Sequence, residues 1–281
     1  MELCLRSSVN RWECDENDHM NVRYFVKKHW EALSAYLWER SAANADRVLE
    51  DLRGQHLRFL KEARIATPLS GYAGNVVMPD GSSRYVTELR QSFTQEVMST
   101  CLHDLGRADL GPRVALSEHA APRGLPDEAS RFVQTRLEEA SAQGFAIIGK
   151  GLLADEECNA QGQVLPHGYM GRLSDAMPHL WGAVHEQGVL DENEGGAVLE
   201  YRFQYRAGLK AGDTYQIWSG LKAAGPKIQE FVHLLFNSRA EIALLAQAVG
   251  VRMDLTARKT KTLSKQTQNQ LRKHLITSPG E

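Results

Sequence analysis

The chain has 281 residues, 42% of them hydrophobic and 24% charged, with a formal net charge of -2. That balance gives no global drive toward nucleic acid or acidic lipid, and no apolar run approaches the ~20 residues of a membrane span. Length and composition read as a soluble globular protein of one large domain or two of about 140 residues. Cys4, Cys14, Cys101 and Cys158 lack CxxC spacing, which favours neither a zinc knuckle nor a disulfide scaffold. The start, MELCLRSSVNRWE, has no signal-peptide core, so a cytoplasmic location is expected.

From Asn21 to about Ala43, Val22, Phe25, Val26, His29, Leu33, Tyr36 and Leu37 recur at helical steps, and Asn44-Ala45-Asp46 would end or interrupt the helix. Strand-like text follows at Leu57 and Phe59, then a turn-rich patch, Thr67-Pro68-Leu69-Ser70-Gly71. Val76 to Met78 and Arg84 to Phe93 read as a hairpin around Pro79-Asp80-Gly81. Further strands are expected over Gln95 to His103 and Arg113 to Ser117. Ala120 to Pro126 reads as a loop and Asp127 to Ala142 as a polar helical connector. The order then repeats, with a helix over Tyr169 to Val184. Val198 to Arg206 alternates, with Leu199, Tyr201, Phe203 and Tyr205 on one face and Glu200, Arg202, Gln204 and Arg206 on the other. Ala211-Gly212-Asp213 turns into a strand over Thr214 to Leu221, and strands over Phe231 to Phe236 and Ile242 to Val251 flank Asn237-Ser238-Arg239-Ala240. Each half thus reads as one long helix followed by antiparallel strands. The Arg64 to Gly71 turn aligns weakly with Arg206 to Gly212, as a duplication would make it do. The expected division is 1–125, a connector over 126–143, and 144–281.

The segment richest in chemistry is Trp12-Glu13-Cys14-Asp15-Glu16-Asn17-Asp18-His19-Met20-Asn21. It sets a carboxylate four residues before an imidazole and six before a carboxamide, at the mouth of the first helix. Helix N-termini stabilise negative charge because their first amides have no intrahelical partner. A carbonyl that gains negative charge in its transition state is served by that arrangement, which points to acyl chemistry.

These residues resemble the Asp-x-x-Gly-His-x-Asn motif of hotdog-fold acyl-CoA thioesterases of the 4-hydroxybenzoyl-CoA thioesterase type. Here the motif is Asp15-Glu16-Asn17-Asp18-His19-Met20-Asn21, with Val22-Arg23-Tyr24-Phe25 opening the helix and Glu31 further along it. The likeness covers residues 1 to about 120, and the second half looks like a diverged second hotdog. The resemblance implies an α+β fold of two tandem hotdog domains, each a curved antiparallel β-sheet wrapped around one long α-helix. It implies hydrolysis of an acyl-CoA or acyl carrier protein thioester, with Asp15 as nucleophile or as general base on water. His19 and Asn21 would position substrate or water, and Tyr24, Phe25, His167 and Tyr169 are substrate-binding candidates. No metal and no redox cofactor is expected, coenzyme A being part of the substrate. The expected partners are acyl-CoA or an acyl carrier protein, with a homo-oligomer allowed and neither nucleic acid nor membrane bound. Two departures stand out. Asp18 replaces the motif's Gly, and Asp tolerates left-handed backbone better than most residues. A second motif expected over Gln163 to Tyr169 has His167 but no Asp four residues before it, so one competent site is expected.

Each signal has a plainer reading. Asp15 is also a loop carboxylate, His19 a structural histidine and Asn21 a helix N-cap. Trp12, Trp30 and Trp38, like Tyr201, Phe203 and Tyr205, read as core. Arg258-Lys259-Thr260-Lys261, with Lys265, Arg272 and Lys273, reads as a solvated tail or a handle for coenzyme A phosphates. Gly149-Lys150-Gly151-Leu152-Leu153-Ala154 formally matches a dinucleotide fingerprint, but Asp155 to Gly162 after it reads as loop. No Gly-x-Ser-x-Gly elbow or P-loop is present. Two rival functions are a hotdog hydratase or dehydratase using His167 with Glu31 or Asp15, and a non-catalytic acyl-thioester-binding protein.

Overall fold

A strand of mixed burial precedes the first helix. β1 (Glu2–Ser8) pairs with β3 (Pro68–Val77), which continues through the Pro79-Asp80-Gly81 turn into β4 (Ser83–Gln91). β5 (Val97–Asp104) follows, and β2 (Gly54–Phe59) closes an antiparallel sheet in the order β1-β3-β4-β5-β2. Helix α1 (Val22–Trp38) packs against β1, β3, β4 and β5. The structure, a computed structural model, describes residues 1–41, 48–106, 108, 110–125, 130–184, 194–257 and 259–279. Two units divide the chain: Met1–Arg123 with Leu165–Gly171, and Gly124–Val164 with Arg172–Glu281.

The second unit repeats the strand order. β6 (Ala146–Leu152), β7 (Glu194–Tyr205), β8 (Thr214–Ala224), β9 (Ile228–Asn237) and β10 (Ile242–Asp254) form an antiparallel series β7-β10-β9-β8-β6. A short β11 (Lys259–Thr260) adds to β10. A single helical turn, α2 (Leu137–Ala140), precedes β6, and α3 (Pro166–Val184) follows it. In this unit α3 sets Trp181 edge-on to Phe231 at 5.4 Å, and Ala176 against Gly149 of β6. Among the described residues no helix is long and apolar enough to cross a membrane.

Several sequence expectations change. α1 ends at Trp38, short of Ala43, and Asn44-Ala45-Asp46 lie outside the described residues. Thr67 to Gly71 is not a turn beyond Thr67 but the start of β3. Its Gly71 is explained by crowding: a Cβ there would sit 2.9 Å from Leu5 and 3.1 Å from Ala32, so the glycine marks close approach of β1 and α1. Arg113 to Ser117 is not a strand; Arg113 makes one lone bridge to Asn75. Of the connector, the described part holds a 3-10 turn at Arg131–Gln134 and then α2. The polar face of β7 is partly buried, because the Glu200 carboxylate accepts the amides of Gly124 at 2.8 Å and Leu125 at 3.3 Å. The glycine-rich run 149–154 lies in and just after strand β6. The basic residues Lys259, Lys261, Lys265, Arg272 and Lys273 are exposed, as a solvated segment has them, while Leu263 and Leu271, the latter carried by α4 (Lys265–Arg272), are buried and Lys261 pairs with Glu194; Arg258 lies outside the described residues. Of the three tryptophans only Trp30 is core; Trp12 is 74% exposed and Trp38 60%.

Under α1 runs a wholly buried polar chain. Gln55 Nε2 is 3.0 Å from His103 Nδ1, His103 Nε2 is 2.9 Å from Thr87 Oγ1, and His29 bridges Thr87 (2.7 Å) and Ser99 (2.8 Å). An amide nitrogen only donates, so His103 carries its proton on Nε2 and gives it to Thr87. Thr87 Oγ1 also lies 3.5 Å from the Cys101 carbonyl, so its one proton goes either there or to His29 Nδ1, and Ser99 Oγ meets His29 Nε2. Accepting at Nδ1 leaves His103 a neutral imidazole.

Burial pushes the His103 imidazole down to about 3, and that of His233 in the second unit to about 4; burial with His103 nearby holds His29 well below its usual range. Unfolded histidines titrate near 6.5, so above that pH both states are neutral and stability is flat. Below it the unfolded chain takes up protons that the folded one refuses. Stability is lost as pH falls from about 6.5 toward 4 and 3, by about 1.4 kcal/mol per pH unit for each such histidine. Urea midpoints measured from about pH 8 to about pH 5 are expected to hold and then drop; a midpoint unchanged down to pH 5 contradicts this account.

Candidate functional site

The loop between β1 and α1 is organised by one side chain. Asp15 Oδ1 accepts the amide of Asn17 at 2.9 Å and that of His19 at 3.1 Å, while Asp15 N donates to the His19 carbonyl at 2.8 Å. Such Asx turns are local bonds that short carboxylates and carboxamides make with backbone two and four residues on. Asp18 N reaches back to the Asp15 carbonyl, and Asp18 takes φ 58° to close the turn. The half-buried Asp15 keeps its other oxygen, Oδ2, outside any hydrogen bond among the described residues. His19 is buried, with Nε2 3.3 Å from the Glu62 carboxylate, and its backbone bridges to Arg64. Glu62 carried no signal in the sequence; only the fold brings it to this ring.

Asn21 is the N-cap of α1. Its Oδ1 accepts from Arg23 N at 2.9 Å, and its carbonyl from Tyr24 N at 2.9 Å and Phe25 N at 3.4 Å. The amide of Val22 is thus the one in the first turn without a hydrogen bond among the described residues. Phe25 is core, edge-on to Phe59 at 5.6 Å, and Tyr24 packs on the rim of the same cluster. Tyr169 and His167 are buried in the 165–171 segment that belongs to this unit. His167 lies within the field of Arg23 and Lys27. Burial first, and these two cations next, lower it to about 4, and its Nδ1 has no hydrogen-bond partner among the described residues. Among the described residues no group of three or more His, Cys, Asp or Glu is placed to hold a metal ion.

The second unit holds a copy of this loop, and its register differs from that expected. Asn159 Oδ1 accepts the amides of Gln161 (3.1 Å) and Gln163 (2.8 Å), and Asn159 N donates to the Gln163 carbonyl at 2.8 Å. Gly162, at φ 74°, stands where Asp18 stands. Cys158 pairs with Val164 as Cys14 pairs with Met20, and Gln163 bridges to Lys210 as His19 does to Arg64. The copy therefore begins at Asn159, not near Gln163, and His167 is no counterpart of His19. Likewise Lys210 and Gly212, not Arg206, match Arg64 and Ala66, the latter also left-handed at φ 63°. Asp15, His19 and Asn21 are matched by Asn159, Gln163 and Leu165. The backbone is copied; the carboxylate, the imidazole and the capping carboxamide are not.

No protein-family model matches the sequence, and no curated protein matches it. Solved structures do match in shape. The 12:0-ACP thioesterase from Umbellularia californica shares 10% identity over 88% of this chain and 93% of its own, with a TM-score of 0.60. An acyl-ACP thioesterase from Bacteroides thetaiotaomicron, also 10% identical, covers 88% of this chain and 96% of its own at a TM-score of 0.56. The tesB protein of Mycobacterium avium subspecies paratuberculosis, 11% identical, covers 88% and 91% at 0.50. These likenesses show the fold, an α+β double hotdog in a single chain.

Because Asn159 builds the same turn, Asp15→Asn is expected to leave the loop and the stability unchanged, within about 0.5 kcal/mol. Asp15→Ala removes the acceptor of two amides and is expected to cost about 1–2 kcal/mol. Denaturant melts of the two variants decide the matter; equal losses would mean that the charge itself builds the loop.

Proposed function

We propose that the protein hydrolyses the thioester of an acyl-CoA or acyl carrier protein. The observation that carries this reading is the pair of loops: a carboxamide suffices for the turn in one, yet the other keeps a carboxylate whose second oxygen is unspent. The fold shared with the two ACP thioesterases supports it.

In this reading the substrate carbonyl lies at the mouth of α1. Asp15 Oδ2 either attacks the carbonyl carbon or takes a proton from the water that does. The carbonyl oxygen gains negative charge and is received by the Val22 amide at the positive end of the helix. The C–S bond then breaks and the thiol leaves as thiolate, a competent leaving group near neutral pH because thiol pKa values lie near 8.5. Water supplies the hydroxyl of the released acid. His19, steadied by Glu62, orients water or substrate, and His167 offers a neutral polar contact to the acyl thioester. Asp18 keeps the left-handed turn that the family's glycine would give, which removes a reason for preferring a merely binding protein.

Free-thiol release is measured over acyl-CoAs and acyl carrier proteins for wild type and Asp15→Asn. Release by the wild type, falling about 10²- to 10⁴-fold in the folded variant, is the expected result. Undiminished release in Asp15→Asn removes Asp15 from the chemistry. Hydration of an enoyl thioester without thiol release would replace hydrolysis by the hydratase reading.

A further inference from the structure

Lys28 is one of the polar positions of α1, yet its side chain is only 4% exposed. Its Nζ is 3.0 Å from Glu13 Oε1, 3.1 Å from Ser7 Oγ and 3.2 Å from the Ser8 carbonyl. Glu13, 6% exposed, ends the 3-10 turn Arg11–Glu13, two residues before Asp15. Its Oε2 accepts the Asn10 amide at 2.8 Å and Asn10 Nδ2 at 3.3 Å, and its backbone carbonyl accepts the Asn21 amide at 2.8 Å. One buried ion pair therefore ties the end of β1, the turn before Asp15 and the second turn of α1. Glu13 also holds the helix cap directly. The other charged groups near the pair are Lys27 and Glu31, and burial raises the Glu31 carboxyl above its usual range.

A buried ion pair is weak support for stability, since desolvating two charges offsets most of their attraction. What it does supply is geometry. The second unit repeats the device: Glu157 accepts the Ala154 amide at 3.2 Å and is paired with Arg172, which stands where Lys28 stands. The cation is thus exchangeable between Lys and Arg, while the glutamate is kept.

We infer that the Glu13–Lys28 pair is the positioning device for the Asp15 carboxylate, fixing its loop against the start of α1. The inference rests on the hydrolytic reading, in which Asp15 is the reacting group. Two readouts test it. The first needs no activity: the NMR amide signals of Asn17 and His19, the donors to Asp15 Oδ1, are compared in wild type, Lys28→Met and Lys28→Arg. Both signals are expected to move in Lys28→Met and to return in Lys28→Arg. The second is kinetic. Lys28→Met is expected to lower kcat about 10- to 100-fold with little change in KM, Lys28→Arg to restore it, and Lys28→Met added to Asp15→Asn to lower the residual rate no further. If Lys28→Met fails to fold, Glu13→Gln/Lys28→Met, which leaves no uncompensated buried charge, takes its place. Unmoved amide signals, or a loss of rate that persists in the Asp15→Asn background, overturn the inference. A wild type that releases no thiol overturns hydrolysis instead, and the amide signals still decide the role of the pair.

Discussion

Two amide hydrogen bonds to Oδ1 of Asp15 fix the turn that delivers the chain into α1. They set the division of labour inside one carboxylate: one oxygen builds backbone, and the other points away from that task. The turn needs a left-handed residue at its third step, an uncommon conformation for Asp and a free one for Gly. The first unit uses Asp18 there and the second Gly162. With the turn set, Asn21 falls at the helix start, its side chain spends itself on Arg23, and Val22 is left as the first-turn amide without a hydrogen bond among the described residues. The site is thus a consequence of how α1 begins.

The two units differ where chemistry would be, and agree where folding is. The 3-10 turn, the buried glutamate with its cation, the Asx turn, the left-handed step and the strand order all recur. Cys14 and Cys158 even donate to matching carbonyls, Asn10 and Ala154, at 3.5 Å each. Against that background the change from Asp15 to Asn159 costs the loop nothing, because a carboxamide oxygen accepts the same two amides. His19 to Gln163 and Asn21 to Leu165 remove an imidazole and a cap. The three polar groups of the first loop thus have no counterparts in the second.

How much of this could be read from the chain depends on how local each cause is. The hairpin at Pro79-Asp80-Gly81 and the burial stripe of α1 are written in neighbouring residues, and both were legible. β1 was not, since an edge strand with mixed burial shows little alternation. Gly71 reads as part of a turn because its reason lies in Leu5 and Ala32, distant in sequence. The second loop is hidden in the sequence because it lacks the residues that advertise the first, and His167 offers a false anchor. Lys28 concealed its role for a different reason: a long apolar stem lets a cation sit inside while its residue type signals solvent. Glu62 had no sequence cue at all, since its tie to His19 is made across two chain segments.

The interior beneath α1 adds a further asymmetry. His29, Thr87, His103, Gln55 and Ser99 form a chain in which each side chain meets a hydrogen-bonding partner. In the second unit Leu173 stands where His29 stands, and among the described residues His233 keeps one hydrogen bond, at 2.7 Å to Ser219, with Nε2 unpartnered. A satisfied buried network specifies one packing where apolar contact tolerates several, because a shift of register would strand donors in a medium that cannot solvate them. The helix of the first unit is therefore pinned at His29 from below and at Lys28 beside it. Adjacent residues of α1 face two different anchors, one on the sheet and one on the loop that precedes the helix. Rotation or sliding of the helix breaks both at once, so the mouth of α1, with Asp15 and Val22, keeps its place.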